Sequence, residues 1–93
     1  LKARDLLLPA ATQGDADAQV SMAIINLSGL GVDTDFTEGA RWARLASDQG
    51  QAMGSSILGT IYQRRMGVPI DQVTSSKWFR LADEQGFVGS DEI

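Results

Sequence analysis

An all-α fold of stacked antiparallel helix pairs is predicted by three features of the chain. Glycines recur at positions 14, 50 and 86, a constant spacing of 36 residues. Residues 14–49 laid without gaps on residues 50–85 agree at eleven of 36 positions, where ordinary composition gives about two or three by chance. Within each copy, apolar residues fall at steps of three and four, in two runs parted by a glycine-containing break. That spacing is the mark of helices with one buried face, and a period of this length is the mark of a repeat array.

The elements follow in chain order. Lys2 to Gln13 holds the register of the second helix of a unit, with Leu6 where Trp42 falls and Ala10 where Ala46 falls. Pro9 stands in the register of Leu45 and predicts a kink or a shortened helix, because its ring removes an amide donor and crowds the preceding turn. Asp15 is an N-cap, its carboxylate placed to accept from free amides of the next first turn. Residues 16–28 contain neither Gly nor Pro. Their stripe of Ala16, Val20, Ala23 and Leu27 is widened by Ala18, Met22 and Ile25, as suits a helix packed on two sides. The segment Gly29-Leu30-Gly31-Val32-Asp33-Thr34 breaks the helix, since glycine tolerates the left-handed backbone that ends one. Asp35 and Glu38 have capping-box spacing. They start a helix from Phe36 to Gln49 that buries Trp42, Leu45 and Ala46 and stops at Gly50. The second copy repeats the plan: a helix over 51–65, a turn over 66–70 that accommodates Gly67 and Pro69, and a helix over 71–85. Phe87 to Ile93 has the register of a further first helix, shortened by Gly89 into a start or a cap. The expected organisation is one domain over 1–93: a half unit 1–13, units 14–49 and 50–85, and a stub 86–93. Because its first residue is Leu, the chain reads as a processed or excised piece of a longer one.

Composition excludes several classes of function. With 43% apolar and 22% charged residues, the chain has the make-up of an ordinary globular domain. No apolar run approaches the roughly 20 residues a spanning helix needs, and Lys2, Arg4 and Asp5 interrupt the opening segment where a signal peptide is continuously apolar. Neither membrane insertion nor a leader is expected. The absence of Cys and His removes thiolate nucleophiles, imidazole bases and the two commonest zinc ligands together. No catalytic residue, cofactor or metal site is therefore assigned. A net charge of −4 opposes nucleic-acid binding, which depends on clustered Lys and Arg facing phosphates.

Remaining motifs have structural explanations. Asp33, Asp35 and Glu38 lack the Gly and terminal Glu of a calcium loop. The glycines at 29, 31 and 67 follow no strand and precede no Lys-Ser/Thr, so they do not form a phosphate loop. Trp42 and Trp78 occupy equivalent positions and are assigned to interhelical packing.

Period, turn and aromatic placement together resemble the Sel-one-like repeat, a relative of the tetratricopeptide repeat with a longer turn between its helices. That unit carries Gly-x-Gly-Val-x-x-Asp followed by a small residue, Trp, Ala and Gly at fixed distances. Gly29, Gly31, Val32, Asp35, Gly39, Trp42, Ala46 and Gly50 fill those places, as do Gly67, Val68, Asp71, Ser75, Trp78, Ala82 and Gly86. Arg65 stands where the second copy should have its first Gly, and Asn26 where Tyr62 matches the expected Tyr. The resemblance implies a right-handed α-solenoid, a superhelix of antiparallel helix pairs of about two and a half repeats, acting as a non-catalytic adaptor for a protein or peptide partner.

In such stacks the first helices line the concave side, so the resemblance points to their non-core positions, Gln19, Asn26, Ser55, Tyr62 and Arg65, as partner contacts. The alternative is a self-association or capping module, for which Leu6 to Leu8 at one end and Phe87 and Val88 at the other are apolar enough. Charge is uneven: residues 14–49 carry a net −4 and residues 50–85 a net +1. Solvated helix faces account for this; a sharper reading places the acidic first unit and Arg64-Arg65 at opposite ends of a binding surface.

Overall fold

The computed structural model describes residues 3–28 and 34–86. Among them are five helices and no strand: α1 (Ala3–Thr12), α2 (Ala16–Ser28), α3 (Phe36–Asp48), α4 (Ala52–Gln63) and α5 (Gln72–Glu84). The expected turn at Gly29 to Asp33 and the stub at Phe87 to Ile93 lie outside the described residues.

Helix ends are set by local chemistry that repeats with the sequence. Asp15, Asp35 and Asp71 each accept the amide three residues on, from Ala18, Glu38 and Thr74, at 3.0–3.1 Å. These bonds with Thr74 hold the Asp71 carboxyl below the usual carboxylate range. The capping box anticipated at Asp35 is half present, because Glu38 turns instead to Arg41 at 2.7 and 2.9 Å. The amide of Asp35 donates to the carbonyl of Asn26 at 2.8 Å, and one unit later the amide of Asp71 donates to the carbonyl of Tyr62 at 3.0 Å. A backbone tie between the end of each first helix and the cap of its second thus takes the place of the reciprocal side chain.

Helices α1 and α3 end in Schellman turns. For α3, the amide of Gly50 donates to Ser47 and that of Gln51 to Ala46; for α1, Gly14 donates to Ala11 and Asp15 to Ala10. The motif requires a left-handed residue after the cap, which Gly14 and Gly50 supply at φ 102° and 86°. Helix α4 ends in the same way, with the amide of Met66 bonded to Ile61 at 3.1 Å, but there the left-handed residue is Arg65, at φ 56°. It is the register partner of Gly29. A Cβ in this region costs about 1–2 kcal/mol, partly offset by the greater freedom glycine has in the unfolded chain. Arg65→Gly should therefore stabilise the fold by up to about 1 kcal/mol, a rise of roughly 4–8 °C in the thermal midpoint. A fall in the midpoint, followed by circular dichroism, would show that Arg65 makes contacts outweighing its backbone strain.

Pro9 lies inside α1, which continues past it to Thr12. Helix α4 is shorter than the 51–65 expected, because Arg64 and Arg65 belong to the turn.

Each helix packs on the next, and α2 also touches α4. No Cα of α3 comes within 8 Å of α1 or α5. First helices are therefore closer together than second helices, which bends the stack and puts α2 and α4 on its inner side. The core runs through Ala11, Met22, Ala23, Trp42, Ala43, Leu58 and Ile61. Trp42 is buried as expected, whereas Trp78 is half-buried. Leu45, expected inside, is 37% exposed: it lines a depression between α3 and α1, with Leu8 and Thr12, that stays open because no Cα of α1 comes within 8 Å of α3. Small residues let the helices cross closely. Gly39 faces Ala23 and Leu27 in the first unit; in the second the pair is exchanged, Ser75 donating to the carbonyl of Gly59 at 2.8 Å.

Candidate functional site

Three of the five residues singled out from the sequence are structural. Gln19, Asn26 and Ser55 are 4%, 6% and 0% exposed, which corrects their placement among non-core positions. Gln19 donates to the carbonyl of Ala11 at 3.1 Å and accepts from Gln49 at 3.0 Å. Asn26 donates to the carbonyl of Met22 at 2.9 Å. Ser55 shares a 2.6 Å hydrogen bond with Ser47 and donates to Gln85 at 2.6 Å.

These bonds form a device that varies between units. Ala11 and Ser47 occupy equivalent places near the ends of α1 and α3, where carbonyls lack helical partners. In the first unit, the long Gln19 reaches the Ala11 carbonyl itself. In the second, the equivalent Ser55 is too short, and Gln85 reaches back to the Ser47 carbonyl at 3.2 Å. Gln49 meanwhile donates to the carbonyl of Gly14 at 2.8 Å, and Gln51 to Asp17 at 2.6 Å, tying one unit to the next. Buried polar groups held in this way are unavailable to a ligand without a large desolvation cost.

Tyr62 and Arg65 remain accessible: Tyr62 is half-buried and Arg65 exposed. Tyr62 lines a groove of about 420 Å³ between α3, α4 and the turn after α4. Phe36, Met66 and Val68, all half-buried, contribute apolar walls over the buried Leu58 and Ile61, and Arg41 and Arg44 stand on the α3 side. Gly67 brings the turn down onto Phe36, where a Cβ would come within 2.7 Å of the Phe36 Cβ. The fork of Arg41 is held by Glu38, an interaction that raises its pKa further and keeps it charged. The guanidinium of Arg44 lies 4.9 Å from the centre of the Trp78 ring.

Sequence reasoning missed Arg41 and Arg44, although a signal was present: both recur in register as Lys77 and Arg80. The indole Nε1 of Trp42 is buried and has no hydrogen-bond partner among the described residues. No group of three or more Asp, Glu, His or Cys among the described residues is placed to hold a metal ion, and no described helix is long and apolar enough to cross a membrane. The groove can therefore supply apolar contact, a phenol and cationic hydrogen-bond donors.

Comparison with known proteins agrees with this geometry. The sequence profile of the Sel1 repeat matches residues 1–15, 16–51 and 55–87. A protective antigen of uropathogenic Escherichia coli strains, whose crystal structure displays an SLR fold, is 36% identical with a TM-score of 0.82, over 90% of this chain and 18% of the other. A Sel1 repeat protein from Oxalobacter formigenes is 26% identical with a TM-score of 0.83, over 86% of this chain and 33% of the other. The chain thus spans a third or less of the length of either protein. No curated protein sequence matches it significantly.

Proposed function

The chain belongs to the Sel1 repeat family, and we propose that it is a non-catalytic scaffold that docks a protein or peptide partner in the α3–α4 groove. Its units are divided at Gly14, Gly50 and Gly86. The observation that carries this reading is the groove itself: apolar walls open to solvent at a repeat junction, with Tyr62 at its side. The polar side chains of the neighbouring core are already bonded to one another, so the groove is where a partner meets unsatisfied surface. Sel1 repeats are in general protein-interaction modules, which supports the same reading.

The test is selection of dodecapeptides from a random displayed library, followed by calorimetric titration of the winners. Selected peptides should bind the Tyr62→Ala, Arg65→Ala double variant at least about tenfold more weakly, the loss expected when one or two well-placed contacts go. Equal binding to parent and variant would remove this surface as the docking site.

A second reading, self-association, is favoured by the exposed apolar residues on the two outermost described helices. Leu6 on α1 is 64% exposed and Val73 on α5 is 67% exposed. Sedimentation equilibrium separates the two: a mass that rises with concentration and returns to monomer in Leu6→Glu or Val73→Glu assigns those faces to contacts between copies.

A further inference from the structure

The groove has a counterpart one unit later, and the two carry the same charge. Advancing Arg41 and Arg44 by the 36-residue period gives Lys77 and Arg80, which with Val73 line a shallower depression on α5. Neither lining contains an acidic residue. Arg41 is neutralised by Glu38, whereas Arg44, Lys77 and Arg80 make no ion pair among the described residues. Lys77 acts on the Asp71 carboxylate only through space. All three cations are exposed. Asp48 and Glu84 follow Arg44 and Arg80 by one helical turn but belong to neither lining and pair with neither cation.

We propose that this face receives an acidic peptide segment carrying a bulky apolar side chain. The proposal rests on the docking reading above and names the chemistry of the partner. The apolar side chain enters the α3–α4 groove against the half-buried Phe36, Met66 and Val68. A carboxylate beside it meets Arg44, whose planar fork suits bidentate recognition and whose position over Trp78 limits the freedom lost on binding. Further carboxylates along the segment meet Lys77 and Arg80. Exposed charges of this kind add specificity and association rate, and their contribution falls with added salt. A nucleic acid is the poorer fit, since three unpaired cations on a chain of net −4 are few for phosphate-driven binding.

The experiment titrates the 93-residue chain with three synthetic twelve-residue peptides followed by fluorescence anisotropy. One repeats Gly-Glu-Leu-Glu, one replaces every Glu by Gln, and one replaces every Leu by Ser; an oligothymidine of equal length is the competitor. The Glu-Leu peptide should bind, with either replacement weakening it by about tenfold or more, as expected for charge-assisted hydrogen bonds and a buried Leu. The Arg44→Gln, Arg80→Gln double variant should lose the Glu-Leu peptide by a similar factor, with Arg44→Lys recovering part of the loss. Circular dichroism checks that each variant is folded. Equal binding of the Gln-Leu peptide overturns the charge inference while leaving the groove as a docking site. Equal binding of the Glu-Ser peptide, or equal competition by the oligothymidine, overturns it in favour of simple polyanion attraction. No binding by any peptide, or no effect of the double variant, overturns it outright.

Discussion

Trp42→Ala is expected to lower the stability of the chain by about 3–5 kcal/mol, the range for removing a buried aromatic side chain, and the thermal midpoint by roughly 15–30 °C. Trp42 is 4% exposed and sits in the central cluster with Ala11, Met22, Ala43 and Leu58. For a domain whose whole stability is of order 5–15 kcal/mol, the variant should be partly unfolded near body temperature. Trp42→Phe makes the informative contrast. The indole Nε1 has no hydrogen-bond partner among the described residues, so the smaller ring loses contact area without losing a bond and removes a buried orphan donor. Its effect should stay within about 1 kcal/mol of the parent. Trp78→Ala should cost less than Trp42→Ala, because Trp78 is only half-buried. Urea unfolding monitored by circular dichroism ranks the three. A folded, stable Trp42→Ala that fails to bind selected peptides would instead make Trp42 a ligand-contacting residue.

The second large effect concerns a glycine whose replacement ought to help on propensity alone. Gly54 lies in α4, where Ala is intrinsically better by about 1 kcal/mol. A Cβ there would stand 2.7 Å from the carbonyl oxygen of Ala43, 2.8 Å from the amide nitrogen of Ser47 and 3.0 Å from the Ala46 Cβ. Two of the three obstacles are backbone atoms of α3, which no rotamer change moves. Gly54→Ala must therefore separate α3 from α4 and strain the Ser47–Ser55 hydrogen bond of 2.6 Å. Overpacking of this kind costs about 1–3 kcal/mol, and loosening the buried bond adds to it, so a net loss of about 2 kcal/mol is expected. Gly39→Ala is the control. Its Cβ would come within 2.6–2.7 Å of the Leu27 side chain, with the nearest backbone atom, the Ala23 oxygen, at 3.4 Å. Leu27 is half-buried and can turn aside, so this variant should lie within about 1 kcal/mol of the parent. If thermal melts show Gly54→Ala to be as mild as Gly39→Ala, the close approach of α3 and α4 is not what limits that site.

Most of the fold was legible because its determinants are local. The caps at Asp15, Asp35 and Asp71 act three residues away, and the turns at Gly14 and Gly50 need only a residue that tolerates positive φ. Periodic apolar spacing then orients each helix. Where this reasoning failed, the missing information was the identity of the neighbour across the interface. Leu45 has the spacing of a core residue, yet α1 stays too far from α3 to close over it. Gln19, Asn26 and Ser55 have the polarity of surface residues, yet their partners are Ala11, Met22, Ser47, Gln49 and Gln85. Two of these, Gln49 and Gln85, lie 30 residues from Gln19 and Ser55, and nothing in local sequence ties the two members of such a pair together.

The candidate site divides in the same way. Tyr62 was visible as a conspicuous aromatic on a first helix, and the doubled basic pair of Arg41 with Arg44 and Lys77 with Arg80 was present in the repeat. By itself, the sequence determined the period, the helix pairs and the chemistry at each helix end, since these depend on contacts within a few residues. Which polar side chains are core, which face of α3 stays open, and that Tyr62 shares a groove with Arg44 were decided only by the tertiary structure. Burial and accessibility belong to pairs of surfaces, and helix packing is what brings one surface against another.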